Sequence, residues 1–184
     1  MTKYLILHGT NASPDDNWFM WLKGKLIGKG HQVWLPHLPN SKEPNSETYA
    51  NFLLSNKDFV IDSETVIIGH SSGAVETLRL LEKIDVTIKA AILVSAFKDD
   101  LGWGALAGLF QSPFDFETIK LHCDKFIFVH SDNDPYVPLE HAEYLSERLN
   151  AELTIVEGQG HFNTESSPDY KQFPQLIEIL RSIE

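Results

Sequence analysis

The chain of 184 residues is close to the length of one globular domain, which commonly spans about 150 residues. It carries 26 acidic and 15 basic side chains, a formal net charge of −11, and 42% of its residues are hydrophobic. A negative field of this size repels phosphate backbones and anionic lipid headgroups, which argues against nucleic acids and membrane surfaces as partners. We therefore expect one globular domain over residues 1–184.

Cysteine usage and hydropathy bear on the compartment. A single cysteine, Cys123, cannot form an intramolecular disulfide, so nothing in the composition favours an oxidising environment. The apolar run at the N-terminus is too short for a signal peptide, and no stretch approaches the ~20 apolar residues of a membrane span. We expect a cytoplasmic protein.

Six short apolar runs, most of them rich in β-branched and aromatic residues, predict strands. They are Tyr4–Leu7, Gln32–Leu35, Thr65–Ile68, Ala90–Val94, Phe126–Val129 and Leu153–Val156. Their starts lie about 25 to 35 residues apart, a spacing typical of βα units and a parallel sheet. Several of the runs are apolar throughout rather than alternating, as in strands that are buried on both faces.

Helical patterns follow five of these strands, and together they predict an α/β fold. The predicted helices are Asp15–Ile27, Ser46–Leu54, Ser72–Leu81, Leu139–Leu149 and Pro174–Ile183. The first repeats an apolar residue at every fourth position, at Trp18, Leu22 and Leu26. Residues 98–120 break the rhythm, because three glycines and a proline interrupt a segment rich in leucine and phenylalanine. This segment either connects two elements over the sheet edge or forms a small lid over a pocket.

One pentapeptide has the form of a nucleophile turn, because Gly69-His70-Ser71-Ser72-Gly73 matches G-x-S-x-G. The predicted strand directly before it and the predicted helix directly after it supply the context that this motif requires. The tight turn lifts the hydroxyl of Ser71 clear of the sheet. The flanking glycines omit Cβ atoms that would collide with the neighbouring strand and helix. Ser71 is therefore the predicted nucleophile.

A serine hydroxyl needs a base at neutral pH, and the chain order in this architecture is serine, acid, histidine. Of the eight histidines, His161 follows the last predicted strand in a glycine-containing loop suited to return over the sheet edge. The acid should follow the fifth strand, where Asp132 and Asp134 both qualify. We favour Asp134, because it lies in the turn that begins the next helix, and keep Asp132 as the alternative.

The developing oxyanion of an acyl-transfer reaction needs two N–H donors. One is predicted to be the backbone N–H of Ser72, the residue after the nucleophile. The other is predicted to be that of Thr10, in the loop after the first strand. Four further side chains are predicted to bind substrate: Trp18, His70, Trp103 and Phe110.

No metal or cofactor is predicted. Asp132-Asn133-Asp134 begins like a calcium loop, but Tyr136 stands at the fifth position and Val137 where glycine is needed. No G-x-G-x-x-G follows the first strand and no Walker A sequence occurs, so neither a dinucleotide nor a nucleoside triphosphate site is predicted.

Six motifs along the chain, taken together, carry a family resemblance. They are Leu-His-Gly-Thr after the first strand, Ile-Ile-Gly-His-Ser-Ser-Gly-Ala, Ile-Leu-Val-Ser-Ala-Phe, Asp-Asp-Leu-Gly, Asp-Asn-Asp-Pro-Tyr-Val-Pro and Gly-His-Phe-Asn. The combination resembles the small serine hydrolases related to retinoblastoma-binding protein 9, nearly end to end. The resemblance implies a minimal α/β-hydrolase fold without a large cap. We expect a three-layer α/β/α sandwich with six parallel strands in the order 2-1-3-4-5-6.

The resemblance also implies a Ser-Asp-His triad at Ser71, Asp134 and His161, in enzymes that act on esters or, like aminopeptidases, on amides. The family name refers to protein binding through an L-x-C-x-E motif. The corresponding Leu121–Lys125 ends in lysine instead of glutamate, so a protein partner is unsupported. We predict a serine hydrolase that cleaves a small-molecule ester or amide through an acyl-enzyme. The alternative is a protein-interaction module that keeps the triad but catalyses weakly or not at all.

Overall fold

The computed structural model describes residues 1–183 and contains a six-stranded sheet in the order β2-β1-β3-β4-β5-β6. Each neighbouring pair of strands is parallel. The strands are β1 Lys3–Leu7, β2 Gln32–Trp34, β3 Thr65–His70, β4 Ala90–Val94, β5 Phe126–His130 and β6 Glu152–Ile155. The predicted fold class and strand order are therefore confirmed.

Helices cover both faces of the sheet and complete three layers. They are α1 Phe19–Gly28, α2 Ser46–Leu54, α3 Ser72–Leu81, α4 Phe116–Leu121, α5 Leu139–Leu149 and α6 Pro174–Arg181. Apolar side chains of α1 and α6 pack into the core on one face, and those of α2, α3, α4 and α5 into the core on the other. Within residues 1–183 no inserted segment forms a large cap, and no helix is long and apolar enough to cross a membrane.

The central strands supply side chains to both cores by simple alternation. In β1, Tyr4 and Ile6 face the core under α1 and α6, whereas Leu5 and Leu7 face the opposite core. All four side chains are fully buried. A sheet packed on both faces has room for functional polar groups chiefly at its strand ends, and in open α/β sheets ligands bind at the carboxyl ends.

The first helix begins later than predicted, at Phe19 instead of Asp15. Asn17 adopts φ +48, which an α-helix does not contain, so the segment before Phe19 stays irregular. The side-chain carbonyl of Asn17 accepts hydrogen bonds from the N–H and the hydroxyl of Thr164, at 2.9 and 3.1 Å. A contact to the far end of the chain thus overrides the local helical pattern.

Residues 98–120 form a short 3-10 helix, Gly104–Leu109, and then α4. This segment is anchored to α3 by Arg79, which is 3% exposed. The Arg79 guanidinium donates to the carbonyls of Leu109 and Ser112 at 2.8 and 2.6 Å and lies 4.0 Å from the centre of the Phe114 ring. These contacts therefore fix the segment against α3.

Candidate active site

Ser71 occupies the turn between β3 and α3 with φ +57 and ψ −123, a strained backbone conformation for a non-glycine residue. Its N–H donates to the carbonyl of Val94 at 2.8 Å, which ties the turn to the end of β4. A Cβ on Gly69 would lie 2.4 Å from the carbonyl oxygen of Gly73, and one on Gly73 would lie 2.3 Å from that of Leu7. Both glycines are thus required by close backbone approach.

Asp134 and His161 are in direct contact at the same edge of the sheet. Oδ2 of Asp134 lies 2.7 Å from Nδ1 of His161 and also accepts the Ser95 hydroxyl at 2.8 Å. Oδ1 accepts the backbone N–H groups of Tyr136 and Val137, at 2.9 and 3.0 Å. The carboxylate is fully buried, yet both of its oxygens are satisfied.

The charge state of Asp134 follows from these bonds. Burial alone would raise the pKa of Asp134, but the hydrogen bond and charge of His161 and the N–H groups of Tyr136 and Val137 outweigh it. The pKa of Asp134 therefore lies below its usual value, and the group is a carboxylate at neutral pH. A carboxylate in this position fixes the Nδ1–H tautomer of His161.

A second set of bonds joins the loop of Asp134 to the loop of His161. Three consecutive backbone N–H groups before His161 donate to three consecutive side chains before Asp134. The pairs are Gly158 with Asp132 Oδ1 at 2.7 Å, Gln159 with Ser131 Oγ at 2.8 Å and Gly160 with Asn133 Oδ1 at 2.7 Å. Asp132, the alternative acid, thus supports the backbone of the histidine loop, and its neighbour Asp134 contacts the imidazole.

The two predicted oxyanion donors lie beside Ser71. Thr10 lines the cavity that contains Ser71, and its hydroxyl donates to Oγ of Ser72 at 2.9 Å. Within residues 1–183, the backbone N–H groups of Thr10 and Ser72 have no hydrogen-bond acceptor. A Cβ on Gly9 would lie 3.0 Å from that of Ser71, so glycine lets this loop approach Ser71.

Two small clefts meet at Ser71 and His161. The first has a volume of about 170 Å³, with a floor and walls formed by Phe97, Leu101, Trp103, Leu106, Tyr136 and Val137. The second, of about 220 Å³, is lined mainly by polar groups, among them Asp16, Asn17 and Thr164, and Asn163 and Glu165 line both clefts. A larger groove of about 420 Å³ near Leu54 and Val60 includes none of these residues. Ser71 thus has a mainly apolar cleft on one side and a polar cleft on the other.

Comparison with known proteins assigns the family. A family model described as Serine hydrolase matches residues 4–182. The chain belongs to this family. Serine hydrolase RBBP9 of Rattus norvegicus is 32% identical over 188 residues, which cover 99% of this chain and 95% of the relative. YdeN of Bacillus subtilis (strain 168) is 30% identical over 186 residues, which cover 99% of this chain and 96% of the relative.

Solved structures agree with the family assignment. The crystal structure of the ydeN gene product from B. subtilis matches this serine hydrolase with a TM-score of 0.92 at 27% identity, covering 100% of this chain and 98% of that one. Est1E from Butyrivibrio proteoclasticus matches with a TM-score of 0.72 at 18% identity, covering 99% and 88%. The second likeness shows the shared α/β-hydrolase fold.

The structure distributes the four predicted substrate-binding residues between the clefts and the core. Trp103 is 49% exposed and lines the apolar cleft. His70 borders the polar cleft, but its ring is buried and its Nε2 lies 2.7 Å from the backbone oxygen of His161. Trp103 is therefore open to solvent in the cleft beside Ser71, whereas His70 contacts the histidine loop.

Trp18 and Phe110 lie elsewhere, contrary to the prediction. The Trp18 side chain is fully buried, and its indole N–H donates to the carbonyl of Phe162 at 2.9 Å. Phe110 packs beside Phe97 and the Arg79 guanidinium, behind the wall of the apolar cleft. Trp18 therefore belongs to the core, whereas Phe110 is half-buried against the cluster that contains Phe97, and sequence position alone indicates neither placement.

Sequence reasoning missed the polar residues that support the serine hydrolase site. Ser95 follows β4 directly at φ +51 and donates to Asp134, and Ser131 and Asn133 hold the histidine loop. Their signal was available, since each is a small polar residue just beyond the carboxyl end of a strand. Within residues 1–183 no three His, Cys, Asp or Glu side chains converge to hold a metal ion.

Proposed function

We propose that this serine hydrolase cleaves a small ester or amide through an acyl-enzyme on Ser71. The observation that carries the proposal is the convergence of a strained nucleophile turn with a buried Asp134–His161 pair whose Nδ1–Oδ2 distance is 2.7 Å. Because Nδ1 of His161 is engaged by Asp134, Nε2 is the nitrogen left for the serine hydroxyl. This is the division of roles that a nucleophilic serine requires.

The proposed reaction has two steps. Ser71 Oγ attacks the substrate carbonyl while His161 Nε2 takes its proton, and the same proton then passes to the departing alcohol or amine. Water, deprotonated by His161, next attacks the acyl-enzyme, and the same proton returns from His161 to Ser71 Oγ as the acyl–oxygen bond breaks and the acid is released. Asp134 remains a carboxylate and stabilises the imidazolium in both steps, in keeping with its lowered pKa.

The N–H groups of Thr10 and Ser72 are proposed to hold the oxyanion. Both lack an acceptor within residues 1–183; Thr10 lies in the loop after β1, and Ser72 is the first residue of α3. Donors that are already in place stabilise charge as it develops without reorganising, and loss of one such donor typically costs about 3 kcal/mol of transition-state stabilisation.

The apolar cleft supports a small uncharged group on one side of the scissile bond. Its volume of about 170 Å³ is close to that of a cavity which holds a benzene ring, about 150 Å³. Its buried floor of Phe97, Leu106 and Val137 is apolar, and the polar side chains Asn163 and Glu165 belong to the part that it shares with the second cleft. We therefore expect p-nitrophenyl esters of short or aromatic acids to react faster than the dodecanoate, and Trp103→Ala to weaken this preference.

Labelling with a fluorophosphonate probe tests the proposal directly. Wild type should react, whereas Ser71→Ala should not and His161→Ala should react far more slowly, with circular dichroism confirming that each variant folds. A folded wild type that stays unlabelled would contradict the proposal and favour a protein-interaction module that keeps the triad. Turnover of the ester panel by wild type alone would then separate a working enzyme from a merely reactive serine.

A further inference from the structure

Two buried ring N–H groups point at consecutive backbone carbonyls of the histidine loop. Nε2 of His70 lies 2.7 Å from the oxygen of His161, and Nε1 of Trp18 lies 2.9 Å from the oxygen of Phe162. A carbonyl oxygen can only accept a hydrogen bond, so Nε2 of His70 must carry the hydrogen. The two donors come from β3 and from the residue before α1, and they meet on one loop.

The His70 imidazole is held in a single state. The residue is 3% exposed, and its Nδ1 is buried without a partner within residues 1–183. Burial is the main cause that lowers the pKa of His70 to about 3, and the charge of His161 lowers it further. The ring is therefore neutral over the whole working range of pH and remains a donor at Nε2.

The backbone that carries these two carbonyls adopts a conformation that needs support from the surrounding structure. Phe162 adopts φ +50, a left-handed conformation that bulky residues rarely take. Its ring is fully buried and stacks on Phe173 at 5.1 Å between centroids. The N–H of His161 donates to Oγ of Ser166 at 3.0 Å, so both backbone polar groups of His161 are occupied.

We infer that His70 and Trp18 are positioning residues. By binding the backbone carbonyls of His161 and Phe162, they fix the position of the His161 imidazole. The inference rests on the proposed function, in which His161 is the base. His70 is joined to Ser71 by one peptide bond, so its ring links the backbone of the nucleophile to that of the base. His70, the variable residue before the serine in G-x-S-x-G, thus has a role within the protein that needs no contact with substrate.

Removing each donor tests this role. Trp18→Phe keeps an aromatic ring and deletes the N–H, His70→Leu deletes the donor, and His70→Gln returns an amide N–H near the position of Nε2. Because displacements of about 1 Å can reduce catalysis about a hundredfold, we expect kcat to fall about tenfold to a hundredfold in the first two variants. KM should stay at the wild-type value, and His70→Gln should recover most of kcat.

A matched control separates positioning from packing. Trp34→Phe removes an indole N–H on the edge strand β2, where the ring packs beside Phe59, and should keep the wild-type kcat. If Trp18→Phe and His70→Leu lose thermal stability but keep kcat, the inference is overturned. If His70→Leu fails to fold, Trp18→Phe and His70→Gln decide the matter. A wild type without Ser71-dependent turnover would instead overturn the proposed function, and this inference with it.

Discussion

The side-chain oxygen of Asn133 accepts a hydrogen bond from the backbone N–H of Gly160 at 2.7 Å. Asn133 directly precedes Asp134, and Gly160 directly precedes His161. The bond therefore runs beside the 2.7 Å contact between Asp134 Oδ2 and His161 Nδ1. Two adjacent bonds restrain both the distance between the loops and their relative orientation, which one bond alone would leave free.

Replacing Asn133 should loosen this connection. In Asn133→Ala the part-buried N–H of Gly160 loses its acceptor, so we expect the free energy of unfolding to fall by about 1 to 3 kcal/mol. Steady-state kinetics should show kcat lower by about tenfold, because His161 is less well placed. Asp132→Ala deletes an exposed bond to Gly158 and is the control, with a smaller loss in both measurements. Equal losses in the two variants would contradict this account.

The two candidate acids differ in what they touch, and this gives a second prediction. Asp134→Asn keeps the shape but replaces the acceptor at Nδ1 of His161, so kcat should fall by about 10⁴-fold, as expected when the wrong tautomer is favoured. Asp132→Asn keeps an oxygen for the Gly158 N–H and should retain most of the activity. Steady-state kinetics on an activated ester would measure kcat for both variants. A larger effect at Asp132 would reassign the acid.

The glycines of the Ser71 turn have no room for a Cβ atom, whereas several other glycines do. In Gly73→Ala the new Cβ would lie 2.3 Å from the Leu7 oxygen, so α3 would have to move away from β1. We expect this variant to be largely unfolded or insoluble. Gly24→Ala, in the interior of α1, meets nothing within 4 Å and should stabilise the protein by up to about 1 kcal/mol. Urea unfolding would compare the two, and a stable Gly73→Ala would refute the close-approach argument.

Much of the fold could be predicted because the signals were local. The bounds of Ser46–Leu54, Ser72–Leu81 and Leu139–Leu149 match the structure, and so does the order of the six strands. The start of α1 could not be predicted, since it depends on the contact between Asn17 and Thr164, 147 residues apart in sequence. A periodic pattern reports helix propensity but does not report a distant partner.

The candidate site divides in the same way. Ser71 and His161 stood out because each follows a strand in a recognisable turn. Trp18 is predicted to bind substrate, yet its indole N–H points to the Phe162 carbonyl in the core. The direction of a side chain depends on packing around it, and position along the chain does not reveal that.

Glu76 has an unusual environment in the middle of α3, five residues after Ser71. Its side chain is fully buried, and both carboxyl oxygens lack a hydrogen-bond partner within residues 1–183. Burial raises the pKa of Glu76 well above its usual value, opposed by the positive charges of Lys83 and Arg79 and assisted by Glu82. The folded protein therefore keeps this carboxyl protonated at pH values where the unfolded chain has released the proton.

This difference predicts a pH-dependent stability. Above about pH 4.5, the ordinary value for glutamate, the folded state binds one more proton at Glu76 than the unfolded chain. Its contribution to the free energy of unfolding is complete below that pH and is lost at up to about 1.4 kcal/mol per pH unit as pH rises towards the folded-state pKa.

Glu76→Gln abolishes this loss, so the stability of the variant relative to wild type should grow with pH in urea unfolding at a series of pH values. Glu147→Gln, which removes an exposed charge on α5, should leave the wild-type slope. A difference between Glu76→Gln and wild type that stays constant at every pH would mean that Glu76 titrates alike in both states.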